Sequence, residues 1–128
     1  MDGEIQVTEA QAFAGTIDVT DASNGTTLIA DYTGLEAFVN IIGFIAKFQD
    51  PPTSIDVTKN VKLKVLDLGA NTKISSLDIS KNLDLEDVNL AECFALTSIT
   101  FGNNTKLKKM NLHESAVITP DLSNLIAL

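Results

Sequence analysis

The sequence predicts an α/β solenoid in which short parallel strands lie on two sides of each coil, preceded by a helix-containing amino-terminal cap. Three observations predict this fold. An eleven-residue unit repeats six times, with apolar residues in its first, third and ninth positions, and asparagine fills the sixth position in four units. Around the first and third positions, apolar and polar residues alternate with the period of a β-strand. The units begin at Ile55, Leu66, Leu77, Val88, Ile99 and Met110.

Residues 1–43 are predicted to form the cap. Thr33 and Glu36 have the spacing of a capping box, whose side chains satisfy the first free backbone N–H groups of a helix. The apolar residues that follow predict a helix near residues 34–42, and Gly43 is placed to end it.

Residues 44–128 are predicted to form the solenoid, which makes one domain together with the cap. Eleven residues hold one strand and one turn, too little to close a coil, so two units per coil of about 22 residues is the better interpretation. Alternate units then stack into two parallel sheets with leucines between them. Phe44 fits the same spacing, and residues 17–19 and 28–30, eleven apart, resemble degenerate first units.

The sixth position of the unit predicts a ladder of buried side chains. An asparagine amide can bond to backbone groups that a turn leaves unpaired, and successive asparagines can bond to one another. Cys93 is therefore expected to be a buried structural substitute rather than a reactive thiol. The six positions hold Asn60, Asn71, Asn82, Cys93, Asn104 and Ser115.

Composition argues against several classes of function. The net charge is −8, with 17 carboxylates against nine lysines and no arginine, which does not suit nucleic-acid binding. No apolar run is long enough to span a membrane. One cysteine and one histidine cannot make an internal disulfide or a tetrahedral zinc site. We expect no metal and no cofactor.

Catalysis is not expected either. His113, Glu114 and Ser115 contain the residue types of a nucleophilic triad, but neighbouring residues on one turn rarely converge in the required geometry. The sequence contains no nucleophile elbow or oxyanion motif. The sequence therefore predicts a protein that is not an enzyme.

Residues 63–71, with the sequence LKVLDLGAN, match LxxLxLxxN, the signature of leucine-rich repeats. Over residues 28–128 the chain resembles bacterial surface leucine-rich repeat proteins of the internalin-like group, which have nested repeats of about 22 residues. The resemblance implies a secreted or cell-surface binding module, often used in cell adhesion, without enzymatic activity. It carries no ligand-binding residues, because the outward positions vary.

The first, third and fifth units begin at Ile55, Leu77 and Ile99. Their outward positions form a face rich in hydroxyl groups. We expect this face to bind a protein or glycan partner, although Ser and Thr also suit exposed strands without any ligand. A further alternative is a hydroxyl array that orders water, as in ice-binding solenoids. The candidate partner-binding residues are Thr53, Ser54, Asp56, Ser75, Ser76, Asp78, Thr97, Ser98 and Thr100.

A further hypothesis for this face is calcium binding. Asp56 and Asp78, one coil apart, could attract calcium, but two carboxylates fall short of the six to eight oxygen ligands that calcium takes. They are expected to be solvated instead.

The alternative function is a structural spacer or capping domain of a larger surface protein, with no ligand of its own. The opposite face, with Lys64, Glu86 and Lys108, is expected to alternate in charge.

The carboxyl end lacks a polar cap. An uncovered stack would expose layer residues such as Leu122 and Leu125 together with unpaired strand edges. Self-association through this end, or cover by a downstream domain, is expected in preference to a fold-back of residues 120–128.

Overall fold

From Gly43 onward, three-residue strands recur at intervals of 22 residues within each of two sheets. The computed structural model describes residues 5–21, 28–49, 53–117, 120–123 and 125. Within them lie a helix α1 (Val7–Ala12), a 3₁₀ turn (Leu35–Ala37) and strands β1 to β7. The strands are β1 (Thr16–Asp18), β2 (Gly43–Ile45), β3 (Val65–Asp67), β4 (Ser76–Asp78), β5 (Asp87–Asn89), β6 (Ser98–Thr100) and β7 (Lys109–Asn111).

The strands form two parallel sheets, as two units per coil require. The long sheet has the order β1-β2-β3-β5-β7, and its inward residues Phe44, Leu66 and Val88 align from strand to strand. The short sheet pairs β4 with β6, with Leu77 opposite Ile99. The chain is therefore a parallel β-solenoid with a spacing of about 22 residues, and the predicted assignment of alternate units to two sheets is confirmed.

Aliphatic side chains fill the space between the sheets. The inward residues of successive layers, such as Leu66, Leu68 and Leu90, are almost completely buried. Burying one such side chain contributes about 1.5–3 kcal/mol. Strands of three residues make few ladder hydrogen bonds, so this repeated burial across layers is what specifies their pairing.

The predicted helix near residues 34–42 is wrong, because only the 3₁₀ turn Leu35–Ala37 forms there. Gly34 has a left-handed φ of 104°, which a regular helix start does not use. Farther on, the Asn60 amide donates to the carbonyl groups of Leu35 and Phe38 at 2.9 and 3.0 Å. These carbonyls would otherwise receive the i to i+4 bonds of a helix. The Ile42 N–H donates to the Gly15 carbonyl, just before β1, and not to the carbonyl four residues earlier that a helix would use.

The amino-terminal region therefore differs from the predicted helix-containing cap. Helix α1 lies upstream of the predicted position, and the Glu9 carboxylate accepts the N–H of Gln6 at 2.9 Å. Strand β1 pairs with β2 and begins the long sheet, which agrees with the interpretation of residues 17–19 as a first unit. Residues 28–30 form no strand. In the part of the chain that is described, little helix is present and no separate helical cap forms.

The carboxyl-terminal segment also departs from expectation. Leu125 is buried in the core cluster, and its N–H donates to the Leu122 carbonyl at 3.0 Å. An uncovered stack was expected to expose both leucines; Leu122 is exposed, whereas Leu125 is covered, as the fold-back that was not favoured would leave it. Residues 118, 119, 124 and 126–128 lie outside the described part. Within that part, no helix combines the length and the apolar character that crossing a membrane requires.

Candidate functional site

The nine candidate residues lie together on the outer face of the short sheet, in three rows and three columns. This face is called the hydroxyl face below. The backbone ladder of the short sheet extends beyond strands β4 and β6. The Ser75 N–H donates to the Thr53 carbonyl at 2.8 Å, and the Thr97 N–H donates to the Ser75 carbonyl at 3.0 Å. The columns of the hydroxyl face are Thr53, Ser75 and Thr97, then Ser54, Ser76 and Ser98, and then Asp56, Asp78 and Thr100.

The middle column carries the free hydroxyl groups. Ser54, Ser76 and Ser98 are exposed, and within the described residues their hydroxyls make no hydrogen bond. Ser76 and Ser98 are direct partners across the sheet. Neighbouring strands lie about 4.8 Å apart, so the column presents donors and acceptors at a regular short spacing.

The first column is partly satisfied by the protein itself. The Ser75 hydroxyl donates to the Thr53 carbonyl at 3.3 Å, and the Thr97 hydroxyl donates to the Ser75 carbonyl at 3.2 Å. Ser75 is only half-exposed, unlike the other eight residues of the face. These two hydroxyls are therefore less available to a ligand than the middle column.

The carboxylates of the third column have a structural role that the sequence analysis missed. Asp56 accepts the N–H of Thr58 at 2.9 Å, and Asp78 accepts the N–H of Ser80 at 2.8 Å. In both residues, hydrogen bonds from the hydroxyl and the N–H of the residue two positions later hold the carboxyl pKa below its usual value of 3.8. These are Asx turns, which close the end of each strand.

The same turn recurs on the long sheet, which explains why Asp or Asn follows the centre of every strand except β2. The residues that accept there are Asp18, Asp67, Asn89 and Asn111. No group of three or more His, Cys, Asp or Glu side chains within the described residues is arranged to hold a metal ion.

A groove of about 480 Å³ borders the hydroxyl face at its amino-terminal edge. Ser54 and Asp56 belong to both the face and the groove. The groove adds charged and hydroxyl side chains, of which all but Lys59 precede the regular units and so are not revealed by the repeat pattern. These added polar residues are Asp31, Thr33, Glu36 and Lys59.

The opposite, charged face of the long sheet alternates in sign as predicted. Lys108 pairs with Glu86 at 2.6 Å, and Lys106 pairs with Asp84 at 2.5 Å. The hydrogen bond and charge of Lys108 lower the pKa of the Glu86 carboxyl. These ion pairs are exposed, so solvent and salt screen them and each adds little to the stability of the fold.

The asparagine ladder forms, but through the backbone. The Asn82 amide donates to the Val57 and Asn60 carbonyls at 2.8 and 2.9 Å, and Asn104 repeats this pattern one layer later. The expected bonds between asparagine side chains are absent from the described hydrogen bonds. Cys93 is buried, its thiol donates to the Leu68 carbonyl at 3.2 Å, and burial raises its pKa. Its predicted structural role is confirmed.

One feature of the turns was missed entirely. After each long-sheet strand from β2 onward, a residue other than glycine adopts a left-handed backbone conformation with φ between 55° and 59°. The corresponding positions after the short-sheet strands do not. In the sequence, the only sign of these left-handed residues is that they recur every 22 residues, and the stronger eleven-residue period conceals that spacing. These residues are Phe48, Ala70, Glu92 and Glu114.

His113 does not join a catalytic relay with its neighbours. Its Nε2 atom lies 3.5 Å from a Glu114 carboxylate oxygen, and both side chains are exposed. The Ser115 hydroxyl is buried without a hydrogen-bond partner. The statement that the protein is not an enzyme stays a prediction.

The chain matches none of the protein-family models against which it was compared. It also matches none of the curated proteins.

Proposed function

We propose that this chain is an extracytoplasmic leucine-rich repeat module, similar to the internalin-like group, that binds a protein or glycan through the hydroxyl face. The observation that carries the proposal is the exposed grid of three rows and three columns, with the free hydroxyls of Ser54, Ser76 and Ser98 at its centre. Such a module would act in adhesion at the cell surface or after secretion.

The chemistry of the grid supports a polar ligand. Serine hydroxyls both donate and accept hydrogen bonds, as the hydroxyls of a glycan or the backbone of a protein do. Serine has a short side chain, so holding it against a ligand costs little conformational entropy. The parallel ladder beneath the face fixes the spacing of the groups in advance. The bordering groove supplies a concave edge in which one end of a ligand could lie.

The leucine-rich repeat assignment is supported by the 22-residue layers and the buried asparagine amides. Asn71 lies at the end of the LxxLxLxxN match, and its amide donates to the Ala46 and Leu68 carbonyls at 2.7 and 2.6 Å. The signature therefore coincides with the contact that joins one layer to the next. Secretion or surface display is proposed from the resemblance alone.

The alternative is a structural spacer or capping domain of a larger surface protein, without its own ligand. The internal hydrogen bonds of Ser75, Thr97, Asp56 and Asp78 favour it, because they explain four of the nine candidate residues without a partner. For the middle column of serines, the spacer hypothesis offers only the preference of serine and threonine for exposed strands.

A binding screen with matched variants separates the two functions. The full chain is applied to arrays of glycans and host proteins, followed by Ser76→Lys, which places a long cation at the centre of the grid. Lys64→Ser on the charged face is the control. We expect Ser76→Lys to lose binding with an unchanged melting temperature, because the site is exposed. Binding that Ser76→Lys retains and Lys64→Ser loses would contradict the proposal, and no binding at all would favour the spacer.

A further inference from the structure

The first layer of the solenoid contains a cavity of about 430 Å³, separate from the middle column of serines on the hydroxyl face. Helix α1, strands β1 and β2 and residues 29–38 contribute its walls. Pockets that bind small molecules have volumes of about 300–1,000 Å³ and mostly apolar walls. The walls here are mostly apolar too, and include Ala10, Ile17, Val19, Leu35, Phe38 and Phe44.

The sequence explains why the first layer is wider than the others. Strands β1 and β2 pair residues that are 27 apart, whereas β2 and β3 pair residues that are 22 apart. Gln49 lies eleven residues before Asn60 and holds the same position of its unit. Its buried amide donates to the Val19 carbonyl at 2.5 Å and accepts the Ile29 N–H at 2.6 Å. The longer glutamine side chain thus ties two walls of the cavity together, in the place where asparagine serves in later layers.

The apolar walls of this layer are incompletely covered. Ile17 and Val19 are partly exposed, whereas Leu66 and Leu68, at the same positions two strands farther along the long sheet, are almost completely buried. An apolar ligand in the cavity would remove more of this wall surface from water, which is favourable.

Tyr32 supplies a polar atom to these walls. Its hydroxyl is buried, and no described residue forms a hydrogen bond with it. The ring is held edge-on against Phe44, with 5.6 Å between the ring centroids. Burial raises the pKa of Tyr32 to about 12, so the hydroxyl keeps its proton at neutral pH and is available as a donor. Buried tyrosine hydroxyls usually have a hydrogen-bond partner, and a ligand with an acceptor oxygen would provide one here.

The charges around the cavity disfavour an anion. None of the residues that line it is basic, and the Asp31 carboxylate belongs to its rim. The hydroxyl and the N–H of Thr33 donate to Asp31 at 2.6 and 2.8 Å and hold the pKa of that carboxyl below its usual value of 3.8. Asp31 is therefore ionised at neutral pH. A carboxylate ligand would lose hydration in the cavity without gaining a cation.

We propose that the cavity binds an uncharged, largely apolar small molecule that carries one hydrogen-bond acceptor, such as a ketone. The apolar body of the ligand lies against the walls from β1 and the 3₁₀ turn, and its oxygen accepts the hydrogen bond from the Tyr32 hydroxyl. The apolar walls supply the affinity, and the single hydroxyl fixes the orientation of the ligand.

Three naphthalenes that share one ring system test the chemistry. The probe 2-acetylnaphthalene has a ketone, 2-ethylnaphthalene has no acceptor, and 2-naphthoate has a carboxylate. Their affinities for the full chain are measured by equilibrium dialysis at neutral pH. We expect 2-acetylnaphthalene to bind saturably at one site, and 2-naphthoate to bind about tenfold more weakly or not at all. Absence of binding by 2-acetylnaphthalene, or equal binding of 2-naphthoate, would overturn the proposal.

The bound probe is located through Tyr32, which is the only tyrosine of the chain. Tyrosine labelled with ¹³C in the ring therefore gives the NMR signals of this one residue. We expect 2-acetylnaphthalene to shift these signals with the same affinity that dialysis gives. Ring signals that stay unchanged at saturation would place the probe elsewhere and would overturn the proposal.

Tyr32→Phe tests the hydrogen bond. It keeps the ring against Phe44 and removes only the unpaired hydroxyl, so the melting temperature should not fall. The affinity for 2-acetylnaphthalene relative to 2-ethylnaphthalene should drop about two- to tenfold, as expected for one neutral hydrogen bond. An unchanged ratio would show that the hydroxyl does not hold the ketone.

A second variant fills the cavity. Ala37→Phe introduces a ring at a partly buried wall position and should weaken 2-acetylnaphthalene and 2-ethylnaphthalene alike by about tenfold or more. Ala95→Phe makes the same change at a partly buried alanine outside the cavity walls and should leave both affinities unchanged. Equal effects of the two variants, in chains that melt as the unaltered chain does, would overturn the proposal.

Discussion

The side-chain amide of Asn82 donates to the backbone carbonyl of Asn60, 22 residues earlier, at 2.9 Å. Asn104 makes the same bond to Asn82. Each asparagine thus fixes the turn of its own layer to the turn beneath it, and the bonds lie in a buried site that water does not reach. A buried amide N–H without an acceptor is costly, so this contact constrains where one layer stacks on the next.

The first prediction is that Asn82→Ala destabilises the chain by about 1–3 kcal/mol, because the buried carbonyls of Val57 and Asn60 each lose one of their two donors. Asn82→Asp should cost more, since a carboxylate of the same shape cannot donate to either carbonyl. Unfolding in urea measures both changes. Lys81→Ala, exposed and one residue away, is the control and should be nearly neutral. If Asn82→Asp were as stable as the unaltered chain, the ladder would not be the constraint described here.

The stacking of the layers could be predicted from sequence because it depends on which face of each strand is apolar. Phe44, Leu66 and Val88 have to face inward, and a shift by one residue would expose them all. The helix near residues 34–42 was predicted wrongly for the opposite reason. Its local pattern is helical, but the competing donor is Asn60, which only the folded chain brings close.

The candidate site was predicted to a similar extent. Alternation places Ser76 and Asp78 on the outer face, and both lie there. The Asx turn of Asp78 depends on the backbone direction after the strand, which the apolar pattern does not contain. The left-handed residues were missed because successive units look alike in sequence. Glu92 and Lys81 occupy equivalent positions of successive eleven-residue units, yet only Glu92 has a positive φ.

The second prediction uses this difference. Glu92 has a φ of 59°, where a residue with a Cβ atom is strained by about 1–2 kcal/mol relative to the usual helical region. Glu92→Gly should relieve the strain and stabilise the chain by about 0.5–1 kcal/mol, after the entropy cost of glycine. Lys81→Gly, at the equivalent position without a positive φ, should instead destabilise it by about 0.5–1 kcal/mol. Thermal unfolding of the two variants checks this, and shifts of the same sign would contradict the assigned backbone difference.

The last prediction concerns acid. Hydrogen bonds from Ser80 lower the pKa of Asp78, so the ionised carboxylate stabilises the folded chain above the unfolded value of 3.8, and this contribution is lost as the pH falls through the lower folded pKa. Asp78→Asn should keep the turn, as Asn89 and Asn111 do, and should reduce the loss of stability between pH 7 and pH 3. Asp78→Ala, which removes the acceptor, should cost about 0.5–1.5 kcal/mol at neutral pH. Asn111→Asp is the converse variant, and it should increase the acid dependence. Urea unfolding at both pH values measures each effect, and an unchanged pH dependence in Asp78→Asn would show that the carboxylate contributes nothing to folding.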